Sequence, residues 1–200
     1  MNIVKATITI IMVALIYAVL MVLLIQIPFH NKINMAISLI DKVSIDTSKK
    51  VLDDVKLDLS SKKLTSYPEY GTRYGTIIIK SINVNLPLYF GDTLAILKKG
   101  VGHSAGSYFP GEGGSILMMG HNYRGYLRDL RNVKINDIIT LETTYGTFNY
   151  KVYQTKIIDE KNLDAVPIQD KEEILMLYTC SPVDAIGHPT KRLVLYAKPV

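Results

Sequence analysis

The sequence predicts an all-β domain preceded by one membrane-spanning helix. Three features point to it: an unbroken apolar block near the amino terminus, a series of short runs rich in β-branched and aromatic residues after residue 71, and turn residues between those runs. Two hundred residues allow one domain of ordinary size plus appendages. Of these, 48% are hydrophobic, more than a small water-facing domain needs.

Much of the excess lies between Ala6 and Ile25. This stretch has no charge, and its polar side chains are Thr7, Thr9 and Tyr17. About 20 apolar residues cross a hydrocarbon core of about 30 Å, so an anchor is expected with its helix over residues 6–27. A cleaved signal peptide would have an apolar core of about 7–15 residues and a small-x-small cleavage site. Gln26-Ile27-Pro28-Phe29 is not such a site, so the anchor is expected to stay. Lys5 and Lys32 flank the block and give a weak orientation signal. Residues 28–70 read as an extracellular spacer in which lysines alternate with aspartates. Ile33, Ile37 and Ile40 have helical spacing; a featureless stalk is the alternative.

From residue 71 the pattern changes. Residues 76–79, 84–89, 115–119, 138–143, 147–158, 174–179 and 193–197 read as strands. Phe90-Gly91-Asp92, Pro110-Gly111-Glu112-Gly113-Gly114, Asn136-Asp137 and Tyr145-Gly146 separate them, the last as a tight hairpin. Residues 92–98 and 126–130 read as short helices. About seven strands with so little helix predict a barrel or sandwich of about 130 residues.

The net charge of +5 is modest and scattered. No basic cluster interleaved with aromatics points to nucleic acid. Gly111-Glu112-Gly113-Gly114 lacks the Lys and Ser/Thr of a phosphate loop and reads as a turn. The histidines are dispersed and there is one cysteine, so no metal site is expected. Asp159, Glu160, Asp170, Glu172 and Glu173 have no calcium-loop spacing, and no cofactor is expected.

A lone cysteine makes no internal disulfide; it is either a small buried hydrophobe or a reactive thiol. Cys180 ends a run whose two faces are both apolar. Pro182 cannot donate to a ladder, so pairing should stop near Cys180 and leave the thiol beside a loop. Arg192 opens the final strand, and the loop 181–191 lets the two strands lie side by side. A guanidinium near a reacting carbonyl stabilises developing negative charge; the bland reading is a surface arginine. His121 follows the apolar run Ile116-Leu117-Met118-Met119-Gly120 and also stands at a strand end. There it could serve as acid and base for a thiol. His103, in a loop context, and His188, in the loop between Cys180 and Arg192, are its competitors.

Gly120-His121-Asn122, then Leu177-x-Thr179-Cys180-x-Pro182, then a strand-opening Arg192, all behind an apolar amino-terminal block, resemble the sortase family. Residues 79–89, 100–114 and 141–150 resemble its first strand pair, the connection into its histidine strand and its central hairpin. The resemblance covers about residues 74–198. It implies a closed barrel of about eight strands with short helices, and a cysteine transpeptidase of the Gram-positive cell wall. In that family Cys180 would be the nucleophile, His121 the general acid/base and Arg192 the oxyanion stabiliser. The partners implied are surface proteins bearing a carboxyl-terminal LPxTG-type signal, cut between Thr and Gly, and a peptidoglycan precursor amine. The family is thought to work with thiolate and imidazolium in a minor fraction of molecules.

The segment 159–173 would be a wall of the peptide groove. Val166, Pro167 and Ile168 would contact the Leu-Pro end of the signal, and Tyr178 would line the floor. Ordinary packing is the alternative for all four. Met176 stands where many members have Thr. Residues 28–75 hold no Trp and no Asp-Pro-aromatic lid sequence, and no second apolar span precedes Val200. With the short Cys-to-Arg loop, these features look most like class D, with class E next. The expected layout is an anchor over 1–27, a spacer over 28–70 and a catalytic domain over 71–200 outside a single-pass membrane helix. A thiol peptidase releasing to water, or a noncatalytic tethered β-domain binding a wall ligand, are the alternatives.

Overall fold

A computed structural model describes residues 8, 10–21, 55–58, 60–182 and 189–200. The chain divides into two compact units, Met1–Ser44 and Ile45–Val200. In the first, residues 10–21 are helical. Among the described residues no helix is long and apolar enough to cross a membrane. The transmembrane helix expected over 6–27 is therefore corrected, and so is the single-pass membrane localisation that rested on it. The helix suggested by Ile33, Ile37 and Ile40 lies outside the described residues.

The second unit is built from strands. A small hairpin pairs β1 (Leu57–Asp58) with β2 (Lys63–Leu64). Eight more close a barrel: β3 (Arg73–Ile79), β4 (Val84–Phe90), β5 (Val101–His103), β6 (Ser115–Met119), β7 (Ile138–Thr143), β8 (Gly146–Asp159), β9 (Ile174–Ser181) and β10 (Lys191–Pro199). Their order around the barrel is β10-β8-β7-β3-β4-β5-β6-β9. The β4–β5 and β6–β9 pairs are parallel and the other barrel pairs antiparallel. Closure leaves no barrel edge to pair with another chain.

Alternation along β9 divides its side chains between two packed regions. Leu175 and Leu177 enter the barrel interior with Ile77, Leu141, Tyr150 and Leu195. Met176 and Tyr178 face outward into a second cluster with Ile158, Val194 and Tyr196, covered by Ala165 and Val166. Both faces of β9 are thus apolar, and the outward one is where Cys180 stands.

Two details position the site. The short β5 puts His103 on a strand, where the sequence suggested a loop. Gly102 permits the close packing there: a Cβ would sit 2.5 Å from the Gly91 carbonyl oxygen. The turn 110–114 is held from the side by Glu173, whose carboxylate accepts from Gly111 N (3.1 Å), Gly113 N (2.9 Å) and the Tyr150 hydroxyl (2.6 Å). Gly111 and Gly113 have φ of +91° and +87°, a region that favours glycine.

Candidate active site

Cys180 lies on β9 directly opposite Arg192 on β10. Opposed residues of an antiparallel pair send their side chains to the same face, with Cβ atoms about 4.5–5.5 Å apart. On the other side of β9, β6 runs parallel to it with Met119 beside Tyr178. β6 ends there, but four bonds continue the contact with β9 and the residues just after it. Gly120 N donates to Tyr178 O (3.2 Å). The Thr179 hydroxyl donates to Gly120 O (2.8 Å). Asn122 Nδ2 donates to Cys180 O (2.9 Å) and Pro182 O (3.3 Å). These bonds lay the backbone of residues 120–122, which include His121, alongside that of residues 178–182, which include Cys180. Cys180 and Arg192 are thus cross-strand neighbours, and the segment that carries His121 follows β6 at the same end of the barrel.

The cysteine is half-buried and free, on the outward face rather than in the interior. The imidazole of His121 packs between Tyr123 and Tyr126, with ring centroids 6.0 and 5.9 Å away. Tyr126 is itself anchored by its hydroxyl on Lys98 O (2.7 Å). His121 Nε2 is buried and makes no hydrogen bond among the described residues, the cysteine sulfur included. Burial lowers the imidazole pKa, and the nearby Lys98 charge lowers it further. The ring is thus neutral at pH 7, with an uncommitted nitrogen.

Arg192 is held more tightly than the sequence suggested. Its Nη1 donates to Pro189 O (2.7 Å) and Lys191 O (2.9 Å). Its Nη2 donates to Glu160 Oε2 at 2.7 Å. The Tyr178 hydroxyl donates to the sulfur of Met119 (3.1 Å), a weak acceptor. Burial raises the Tyr178 pKa, Arg192 opposes that, and Asp92 and Cys180 add to it. The phenol thus feels both the guanidinium and the thiol.

The outward cluster forms a floor beside Cys180 and Arg192, from Ile158, Leu117, Met176, Tyr178, Val194 and Tyr196. A wall hangs over it. Tyr196 donates its hydroxyl to Ala165 O (2.6 Å). The buried Ser115 hydroxyl donates to Pro167 O (2.9 Å) and accepts from Gln169 N (3.2 Å). Val166 packs onto the floor, while Pro167 and Ile168 are exposed. Of the competing histidines, His103 is fully buried and committed. Its Nδ1 shares a bond with the Tyr74 hydroxyl (2.8 Å), and its Nε2 lies 3.0 Å from Ser107 Oγ and from Tyr108 O. His188 lies outside the described residues. Sequence reasoning assigned no role to Asn122, Ser115 or Tyr196, and it weighed Glu160 only as a cation ligand. Asn122 stood inside the Gly-His-Asn triplet; the others had no local signal.

A family model described as the Sortase domain matches residues 77–200. The chain belongs to the sortase family. It is 35% identical over 143 residues to Sortase D of Bacillus subtilis (strain 168), covering 72% of each chain. That relative agrees with the class D resemblance. Sortase C of Streptococcus pneumoniae has a similar solved structure, with a TM-score of 0.58, 27% identity, and 64% of this chain and 68% of that one covered. A Clostridium perfringens Sortase D5 transpeptidase gives a TM-score of 0.60 at 22% identity, covering 67% and 82%, and supports the fold alone. Sortase membership makes this an enzyme of the transpeptidase and hydrolase type. The closed eight-stranded barrel is the fold the resemblance implied.

Proposed function

We propose that this sortase is a cysteine transpeptidase that cuts an LPxTG-type signal between Thr and Gly and passes the acyl group to a peptidoglycan amine. What supports the reading is the register that sets Cys180 opposite Arg192, together with the bond from Asn122, the neighbour of His121, to the Cys180 carbonyl. As sulfur attacks the Thr carbonyl carbon, His121 Nε2 takes the thiol proton. The carbonyl oxygen gains negative charge beside Arg192, a kind of donor typically worth about 3–4 kcal/mol of barrier. Collapse breaks the C–N bond, and the imidazolium returns its proton to the departing glycine amine. The thioester is then attacked by the incoming amine, whose proton passes to His121, and the thiol is restored.

A neutral imidazole with an uncommitted nitrogen suits the first proton transfer. Catalysis is assigned to residues 71–200, with 28–70 as a spacer. The apolar floor and the wall through Val166, Pro167 and Ile168 would take the Leu-Pro end of the signal, with Tyr178 beneath it. Surface proteins carrying such a signal are the proposed substrates. The test is the amine dependence of the products. The full chain is incubated with a labelled LPxTG-type peptide, with and without an amine acceptor. An amide forming at the expense of free acid supports transpeptidation, and Cys180→Ala removes both products. Free acid alone at every amine concentration would replace it with a thiol peptidase.

A further inference from the structure

Glu160 follows β8, and the register places it at the same end of the barrel as the proposed catalytic residues. Arg192 is opposite Ile158 on β8 as well as opposite Cys180 on β9. Glu160 lies two residues beyond Ile158, and its main-chain N–H donates to Thr190 O (2.7 Å), which fixes its backbone against the start of β10. Its carboxylate then reaches Arg192 Nη2 at 2.7 Å. Glu160, Arg192 and Cys180 thus lie on neighbouring chain segments at one end of the barrel.

This ion pair differs from an ordinary surface one. Exposed pairs contribute little because water screens them and two long side chains must be ordered. Here the side chains are 18% and 24% exposed, so screening is reduced. The partner is also shared with main-chain oxygens. Nη1 is taken by Pro189 O and Lys191 O, so both terminal nitrogens of the fork have fixed acceptors. An arginine has several rotatable bonds, and stabilising an oxyanion requires the fork to be in place before charge develops.

We propose that Glu160 is a positioning residue for the reaction, holding the Arg192 guanidinium in the orientation that meets the oxyanion. The inference rests on Arg192 having the role proposed above. Glu160 touches no reacting atom; it acts through the arginine. Its loss affects the transition state more than ground-state binding, because negative charge on the substrate oxygen exists only there. The cost appears in kcat and leaves KM nearly unchanged.

The experiment measures cleavage of an LPxTG-type peptide by the full chain carrying Glu160→Gln, Glu160→Asp, Arg192→Ala or Cys180→Ala, with the thermal midpoint of each. Glu160→Gln keeps the shape and removes the charge. It is expected to lower kcat about tenfold, equivalent to about 1.4 kcal/mol of barrier, with KM within about twofold. Glu160→Asp keeps the charge one methylene short and recovers part of kcat, which makes the test informative even if Glu160→Gln folds poorly. An unchanged kcat in Glu160→Gln, with its thermal midpoint lowered, would make the ion pair a structural staple and overturn the proposal. A raised kcat would overturn it in the other direction, showing that the carboxylate competes with the oxyanion for the fork. If Arg192→Ala and Cys180→Ala keep full activity, the parent reading falls and this one with it. If both lose activity while Glu160→Gln does not, only the role of Glu160 is lost.

Discussion

Acid should weaken this barrel through one histidine, and the size of the effect follows from burial. His103 is fully buried beside Phe90 and Phe109, and burial lowers its pKa from 6.5 to about 4, with the Tyr108 carbonyl and Asp92 opposing. The unfolded chain therefore binds a proton between pH 6.5 and 4 that the folded chain refuses. Where the unfolded state holds more protons, stability rises with pH. The contribution is fully present above pH 6.5, declines as pH falls through that window, and is exhausted near pH 4. Between pH 7.5 and 4.5 the loss from this group is about 2.5 kcal/mol. Urea titrations at half-unit intervals across that range measure it. A His103→Gln variant, which cannot charge, starts lower because the Tyr74 bond is disturbed, but its stability should fall with a shallower slope. The difference between the two curves isolates His103 from His121, whose burial pushes it the same way. Parallel curves for wild type and His103→Gln would refute the assignment.

Other outcomes follow from the site. Asn122→Asp is isosteric but turns a donor into a carboxylate facing the carbonyl oxygens of Cys180 and Pro182. Peptide cleavage should fall at least about tenfold, and further than in Asn122→Ala, because like charges meet in addition to a bond worth about 1 kcal/mol being lost. Tyr196→Phe frees the wall at Ala165; one neutral bond of about 1 kcal/mol should raise KM about fivefold, with kcat nearly unchanged. His121→Ala should abolish turnover while His188→Ala only weakens it, and the reverse result would reassign the base. The acid limb of kcat/KM should lie below pH 6.5, because burial favours the neutral imidazole. A limb above that value would contradict the lowered pKa.

Strands were legible where β-branched and apolar residues run unbroken. Ser115–Met119 and Ile138–Thr143 fall where the pattern put them. The helix Leu94–Leu97 lies inside residues 92–98, and the 3₁₀ turn Arg128–Asn132 overlaps 126–130. β5 was not legible, since three residues with a central glycine resemble a loop; its pairing with β4 on one side and β6 on the other makes it a strand. The hairpin β1–β2 has two residues per strand and is held by the body of the barrel, with Leu64 N on Glu112 Oε1 (3.2 Å). The amino-terminal block was read as a spanning helix, and among the described residues no helix is long and apolar enough to be one.

The site was legible at its centre and hidden at its flank. Pro182 marks the end of β9, and the short return to Arg192 implies adjacent strands, so the thiol and guanidinium could be paired from sequence. The Glu160 contact spans 32 residues and the Ser115 contact to Pro167 spans 52. Both depend on register around a closed sheet, which no local pattern encodes.

Intact-mass measurement of the full chain mixed with a labelled LPxTG-type peptide tests most directly whether sulfur carries the acyl group. A mass increase equal to the peptide acyl fragment, mapped to Cys180 by digestion and discharged by an added amine, is the expected result. Turnover without any such adduct, or an adduct that persists in Cys180→Ala, would contradict it.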